Sequence, residues 1–201
     1  MIAIIDYEAG NIKSVDNAMK YLGREAVLTR DRDIIAGADR VILPGVGAFG
    51  DAMSRIREFD LEEVIHHVAD KGTPFLGISL GQQLLFESSQ ESPGVEGLGI
   101  LPGSVLRIPD GEGRKVPQIG WNDLTYPVKG RLFEGVPEGS FVYFVHSYYV
   151  DAADRDIVTA TTWYGTRIDA SVQKDNVFAC QFHPEKSEAV GMQILRNFLR
   201  A

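Results

Sequence analysis

With 201 residues, 44% of them hydrophobic and 24% charged, the chain has the composition of an ordinary globular domain and the length to bury a sizeable core. A net charge of −8 argues against nucleic-acid binding that depends on bulk positive charge. No apolar run approaches the length of a bilayer span, no signal peptide is visible, and one cysteine, Cys180, allows no internal disulfide, so a cytoplasmic protein is expected.

Ile2-Ala3-Ile4-Ile5 is a continuous apolar run ending in Asp6, the pattern of a strand buried on both faces. Ile12, Val15, Met19 and Leu22 recur at helical spacing, and Gly23 supplies the stop. Ala26-Val27-Leu28 and Val41-Ile42-Leu43 are the next expected strands. Leu61, Val64, Ile65 and Val68 form a second helical stripe, closed by Gly72. Phe75-Leu76-Gly77-Ile78 then reads as a strand that runs directly into a helix over 80–87. This rhythm predicts a mostly parallel sheet with helices on both faces. From 94 to about 168, Gly and Pro are frequent and helical stripes few. Phe141-Val142-Tyr143-Phe144-Val145 and Ile157-Val158-Thr159-Ala160 read as further strands, some of them antiparallel. A last strand over 177–182 leads to His183-Pro184-Glu185, and Val190, Ile194, Leu195 and Phe198 mark a C-terminal helix. No repeat or linker interrupts the chain, so 1–201 is read as one α/β domain.

Ligands of open α/β sheets bind beyond the carboxyl ends of the strands, and three such ends stand out. Pro44-Gly45-Val46-Gly47-Ala48-Phe49-Gly50 fits the glycine spacing of a dinucleotide loop. The acidic strand end that should follow about 20 residues on is missing, because that region reads as helix. A plain turn, or main-chain N–H groups aimed into an oxyanion hole, are the other readings. Gly77-Ile78-Ser79-Leu80-Gly81 joins a strand to a helix, the setting of a nucleophile elbow whose sharp turn wants small neighbours. Its bland alternative is a helix-capping serine. His183-Pro184-Glu185 places a histidine at a strand end with a carboxylate two residues on, able to fix the ring tautomer. The order nucleophile, histidine, acid differs from the α/β-hydrolase order, in which the acid precedes the histidine.

The elbow together with His183-Pro184-Glu185 resembles the class I, triad-type glutamine amidotransferases. Asp6-Tyr7 with Gly10-Asn11, Pro44-Gly45-Val46-Gly47-Ala48-Phe49, Lys115-Val116-Pro117 and Gly120-Trp121-Asn122 narrow the resemblance to the glutaminase subunits of imidazole glycerol phosphate synthases. Tyr143-Phe144-Val145-His146-Ser147-Tyr148-Tyr149 and Gln181-Phe182-His183-Pro184-Glu185-Lys186-Ser187 complete the set, which spans nearly the whole chain.

The resemblance implies a flavodoxin-like fold with an additional antiparallel strand region, and hydrolysis of glutamine to glutamate and ammonia for a (β/α)8-barrel cyclase subunit in a heterodimer. It implies no cofactor, metal, nucleic acid or membrane. Ser79 takes the nucleophile position, His183 the base and Glu185 its orienter. Val46 and Leu80 match the oxyanion donors, Gly47, Gln83, Ser147 and Tyr148 the glutamine-holding positions, and Asn11, Trp121, Tyr143 and Lys186 the partner interface.

Trp121 has core packing as its plain alternative. Of Tyr143 and Phe144, neighbours on one strand, only one faces the core. His66 and His67 cannot share a helix face and read as solvated, while Cys180 reads as a buried small hydrophobe. Glu8 and Gln82 stand where the family commonly has glycine and a hydrophobic residue. The largest departure is Ser79 in place of cysteine, since a hydroxyl depends wholly on its base while a thiol is already partly ionised. Three readings follow: a Cys-to-Ser change that stops turnover, a serine amidase or esterase using Ser79, His183 and Glu185, and a non-catalytic module that binds a partner.

Overall fold

The computed structural model, which describes residues 1–201, buries Ile2–Ile5 on both sides: Ile2 and Ile4 join one apolar core, Ala3 and Ile5 the other. This strand, β1 (Ile2–Ile5), is followed by α1 (Ile12–Tyr21), β2 (Ala26–Thr29), α2 (Arg32–Ala36), β3 (Arg40–Leu43) and α3 (Phe49–Glu58). Next come α4 (Glu62–Lys71), β4 (Phe75–Ile78), α5 (Leu80–Leu84), β5 (Ser88–Ser89), β6 (Gly103–Arg107) and β7 (Gln118–Asp123). The chain ends with β8 (Phe141–His146), β9 (Tyr148–Ala152), β10 (Val158–Trp163), β11 (Arg167–Lys174), β12 (Val177–Cys180) and α6 (Glu188–Phe198).

Seven strands form the main sheet in the order β10-β11-β12-β4-β3-β1-β2. The five from β12 to β2 are parallel, and β11 and β10 extend one edge in antiparallel pairing. Helices α1 and α6 cover one face through Ile12, Val15, Met19, Ile194, Leu195 and Phe198. Helices α2 to α5 cover the other through Ile35, Met53, Ile65 and Leu84. The expected mostly parallel sheet between helical layers is therefore present, as is the antiparallel region: β6 pairs with β9, and β7 with β8 in a two-stranded ribbon. No helix is long and apolar enough to cross a membrane.

Two helices escaped the sequence reading. Phe49, Ala52, Met53 and Ile56 have helical spacing, and they form the buried stripe of α3 just after the glycine-rich turn. Helix α2 is only one turn and a half, held at its start by the Asp31 side chain, which accepts from the Asp33 and Ile34 N–H groups. The helix expected over 80–87 stops at Leu84. Its next carbonyls are taken from outside: Leu84, Leu85 and Phe86 accept the N–H groups of Leu98, Leu101 and Gly99 at 2.8, 2.9 and 3.3 Å. The last strand likewise ends at Cys180, short of the expected 182.

The sheet order makes β12, β4, β3 and β1 consecutive neighbours. Their carboxyl ends deliver 181–185, 79–81, 44–47 and 6–11 to one edge of the sheet.

Candidate active site

Between β4 and α5 the backbone turns at Ser79 with φ 56° and ψ −112°, a conformation that costs a side-chain-bearing residue about 1–3 kcal/mol. The turn is held by the Ser79 N–H, which donates to the Cys180 carbonyl of neighbouring β12 at 2.7 Å. Its flanks must be small. A Cβ at Gly77 would lie 2.8 Å from the Gly81 oxygen, and one at Gly81 would overlap the Leu43 carbonyl of β3. The strand–elbow–helix setting read from the motif is thus realised, with Ser79 as the residue at the bend.

His183 follows β12, and its Nδ1 lies 2.8 Å from Glu185 Oε1. Both side chains are buried, Glu185 completely. A carboxylate on Nδ1 holds the proton there and leaves the Nε2 lone pair to face the cavity. The same Oε1 accepts from the Asn11 Nδ2 at 2.7 Å, while Glu185 Oε2 has no partner. The His183 main chain is clamped on both sides: its N–H donates to the Tyr143 carbonyl at 2.9 Å, and its carbonyl accepts from the Ser187 hydroxyl at 2.6 Å.

Ser79 and His183 share the wall of one cavity of about 290 Å³ with Val46, Gly47, Leu80, Gln83, Ser147, Tyr148 and Lys186. Nine residues singled out by sequence therefore meet in one place. Glu185 stands behind His183, and Asn11 behind Glu185. The two expected oxyanion donors do not both point inward in this conformation: the Leu80 N–H donates to the Gly45 carbonyl at 3.3 Å, so an acceptor already occupies it. That loop is anchored by the buried Tyr7 hydroxyl, which donates to the Pro44 carbonyl at 2.7 Å. Burial raises the Tyr7 pKa further above its usual range, so the phenol stays a donor.

Trp121 and Tyr143 lie outside the cavity, opposite each other on the β7–β8 ribbon with ring centroids 5.8 Å apart at 67°. Trp121 is 45% exposed and so is not core; Phe144, not Tyr143, is the buried member of its pair. His67 is exposed and His66 half-buried. Cys180 is fully buried, and burial raises its thiol pKa, which suits a small hydrophobe. The region 61–71 is helical, which excludes the acidic strand end that a dinucleotide loop needs there. Glu8 adopts φ 64°, a left-handed conformation that favours glycine, and Gln82 is fully buried with its Nε2 donating to the Asp169 carbonyl at 2.9 Å.

Three polar residues of the cavity wall, His146, Glu91 and Gln181, received no role from sequence. His146 Nδ1 contacts the Tyr148 carbonyl at 2.8 Å; burial lowers its pKa to about 4, with repulsion from His183 adding to the shift and the Tyr148 carbonyl opposing it. Glu91 accepts the Phe49 N–H at 2.8 Å at the start of α3. Gln181 accepts from the Gln83 Nε2 at 2.9 Å. The available sign for Gln181 was alternation: Val177 and Ala179 of β12 face the α5 side, and so must the residue two further on.

A family model described as glutamine amidotransferase class-I matches residues 3–201. The chain is 52% identical over 198 residues to the imidazole glycerol phosphate synthase subunit HisH of Bacillus cereus (strain G9842), covering 98% of this chain and 93% of that protein. It is 49% identical over 199 residues to the subunit of the same name from Methanothermobacter thermautotrophicus, covering 99% and 98%. Among solved structures, a glutamine amidotransferase superimposes with a TM-score of 0.77 at 23% identity, covering 100% of this chain and 98% of that one. A glutamine amidotransferase from Thermotoga maritima gives 0.65 at 18% identity, covering 99% and 82%. These two structures share the fold.

Proposed function

The chain belongs to the class-I glutamine amidotransferase family, in its HisH branch, and on that premise we propose that it is the glutaminase subunit of an imidazole glycerol phosphate synthase. In this reading it hydrolyses glutamine in the cytoplasm and passes ammonia to a (β/α)8-barrel cyclase subunit for histidine biosynthesis. The observation that carries the proposal is the buried His183–Glu185 pair, 2.8 Å apart, whose histidine lines the same cavity as the Ser79 elbow.

Glutamine binds with its carboxamide carbon against Ser79, between Gly47, Gln83, Ser147 and Tyr148. The Ser79 hydroxyl attacks that carbon while His183 Nε2 takes the hydroxyl proton, and Glu185 steadies the imidazolium that results. The tetrahedral intermediate collapses as His183 returns the proton to the departing nitrogen, which leaves as ammonia. Water, deprotonated by His183, then hydrolyses the acyl group, releasing glutamate and restoring the hydroxyl.

Serine at this position makes the first step slow. A hydroxyl is not ionised beforehand, and an elbow shaped for the longer carbon–sulfur bond sets the oxygen back from the substrate. The chain therefore binds glutamine and its partner but turns over little.

The resting loop adds a second brake. The Gly45–Val46 peptide carries a carbonyl on one side and the Val46 N–H on the other, and its carbonyl now blocks the Leu80 N–H. One rotation of that peptide removes the acceptor and brings in the Val46 donor, forming the oxyanion hole with Leu80. Ligand binding in the cyclase selects this orientation through the partner-facing Asn11, Trp121, Tyr143 and Lys186. An absent oxyanion donor costs about 10²–10³ in rate, enough to silence the isolated subunit. Steady-state glutaminase assays on a Ser79→Cys protein, alone and with the liganded cyclase, test this: strong stimulation is expected, and equal rates would refute the gating.

A further inference from the structure

His183 has an extended backbone, with φ −98° and ψ 97°, so its N–H and carbonyl point to the same side, toward Tyr143 on β8. Two residues facing each other this way in a sheet would exchange both hydrogen bonds directly. Here only one is direct: the His183 N–H donates to the Tyr143 carbonyl at 2.9 Å. The other passes through a side chain. The Tyr143 N–H donates to the Ser187 hydroxyl at 2.9 Å, and that hydroxyl donates to the His183 carbonyl at 2.6 Å. The three residues thus form a closed circuit in which the Ser187 oxygen accepts once and donates once. Ser187 is only 1% exposed, and a Cβ on Gly191 would lie 2.8 Å from its own Cβ, so α6 backs directly onto it and shields the circuit from solvent.

We propose that Ser187 is a positioning residue for the catalytic base: its hydroxyl closes this circuit and ties the place of His183 to the strand that carries Tyr143. The inference rests on the glutaminase reading, in which His183 takes the proton of residue 79 and Tyr143 faces the cyclase subunit. Glu185 fixes how the imidazole is turned, and the circuit fixes the point from which the side chain hangs. Proton transfer needs Nε2 within about 2.6–3.2 Å of the nucleophile, so a displaced main chain is felt directly at the reacting atoms. Without the hydroxyl, the Tyr143 N–H loses its acceptor and His183 is held to β8 by one bond instead of two. On its outer side Tyr143 packs edge-on against Trp121. A partner seated on that aromatic pair therefore reaches His183 through the Tyr143 main chain. None of the three residues is among those that hold the glutamine.

The test is steady-state glutaminase kinetics of the full chain in a Ser79→Cys background, alone and with the liganded cyclase. In the complex, Ser187→Ala is expected to lower kcat about tenfold or more, short of the roughly 10²-fold that a misplacement of about 1 Å can cost. KM should stay within about twofold, and stimulation by the cyclase should fall. Ser187→Thr, which keeps the hydroxyl, should hold kcat near the parent value. A merely structural role would lower the melting temperature of Ser187→Ala and leave the kcat of the folded protein unchanged. If the alanine variant does not fold, Ser187→Cys, close in size but with weaker hydrogen bonds, is read in its place. An unchanged kcat or an unchanged stimulation factor would overturn the proposal alone. So would a rise in KM that matches the fall in kcat, or a folded Ser187→Thr protein as slow as Ser187→Ala. Absence of glutaminase activity in the Ser79→Cys parent with its liganded partner would overturn the glutaminase reading and this inference with it.

Discussion

Asn11 donates to the same Glu185 oxygen that accepts from His183, at 2.7 Å against 2.8 Å. A residue proposed to face the partner is therefore one hydrogen bond from the acid that orients the base. Glu185 has few other restraints, because its second oxygen is unpartnered. In a Ser79→Cys background, Asn11→Ala is expected to lower kcat about tenfold with little change in KM, as befits a group that acts on the base and not on the substrate. A larger rise in KM than fall in kcat, measured by steady-state kinetics, would contradict this.

Trp121 stands half out of the molecule, edge-on to Tyr143. Its removal should leave the fold intact, with a stability loss of about 1 kcal/mol for the lost ring contact. Association with the cyclase subunit should weaken by about 2 kcal/mol or more if this ring is an interface anchor. A melting curve and a binding titration on Trp121→Ala check both halves, and a strongly destabilised variant would refute the anchor role.

His146 should make the protein acid-sensitive. Burial holds its folded pKa at about 4, against 6.5 for an unperturbed histidine. Between those values the unfolded chain binds a proton at this position and the folded chain does not, so stability falls as pH drops from 6.5 toward 4. The stability at stake is roughly 3 kcal/mol. Urea unfolding of His146→Gln at several pH values should show a shallower decline than the parent over that window. An identical slope in both proteins would contradict the assignment.

The elbow leaves no room at Gly81, where a Cβ would overlap the Leu43 carbonyl of the adjacent strand. The obstacle is backbone, which cannot step aside as a flexible side-chain end could. Gly81→Ala is accordingly expected to cost about 1–3 kcal/mol and to displace the nucleophile. Chemical denaturation reads the first effect, and glutaminase rate in the Ser79→Cys background the second.

How far these features could be read from sequence depended on how local they were. The strands β1, β3 and β4 were legible because burial on both faces turns them into unbroken apolar runs. Strand β11 was not: its buried positions include Asp169 and Ser171, whose polarity hides the strand, and Asp169 is tolerated there because Arg155 pairs with it at 2.6 Å. The stripe of α3 was present at Phe49, Ala52, Met53 and Ile56 but lay against a glycine-rich segment that read as a turn. His183 and Glu185 could be paired because they are two residues apart at a strand end. Gln83 and Gln181 meet across 98 positions, and only the folded sheet brings them together. The direction of the Gly45–Val46 peptide is a backbone state, to which no side chain in the motif points.

We propose that this is a cysteine glutaminase site carrying serine. It is tested most directly by measuring glutamate formation from glutamine for the Ser79 protein and for Ser79→Cys, each saturated with the liganded cyclase. The Ser79→Cys protein is expected to be faster on the order of 10³-fold or more, and His183→Ala in that background to abolish the gain. Equal rates in the Ser79 and Ser79→Cys proteins would contradict this reading of the site and identify a serine amidase instead.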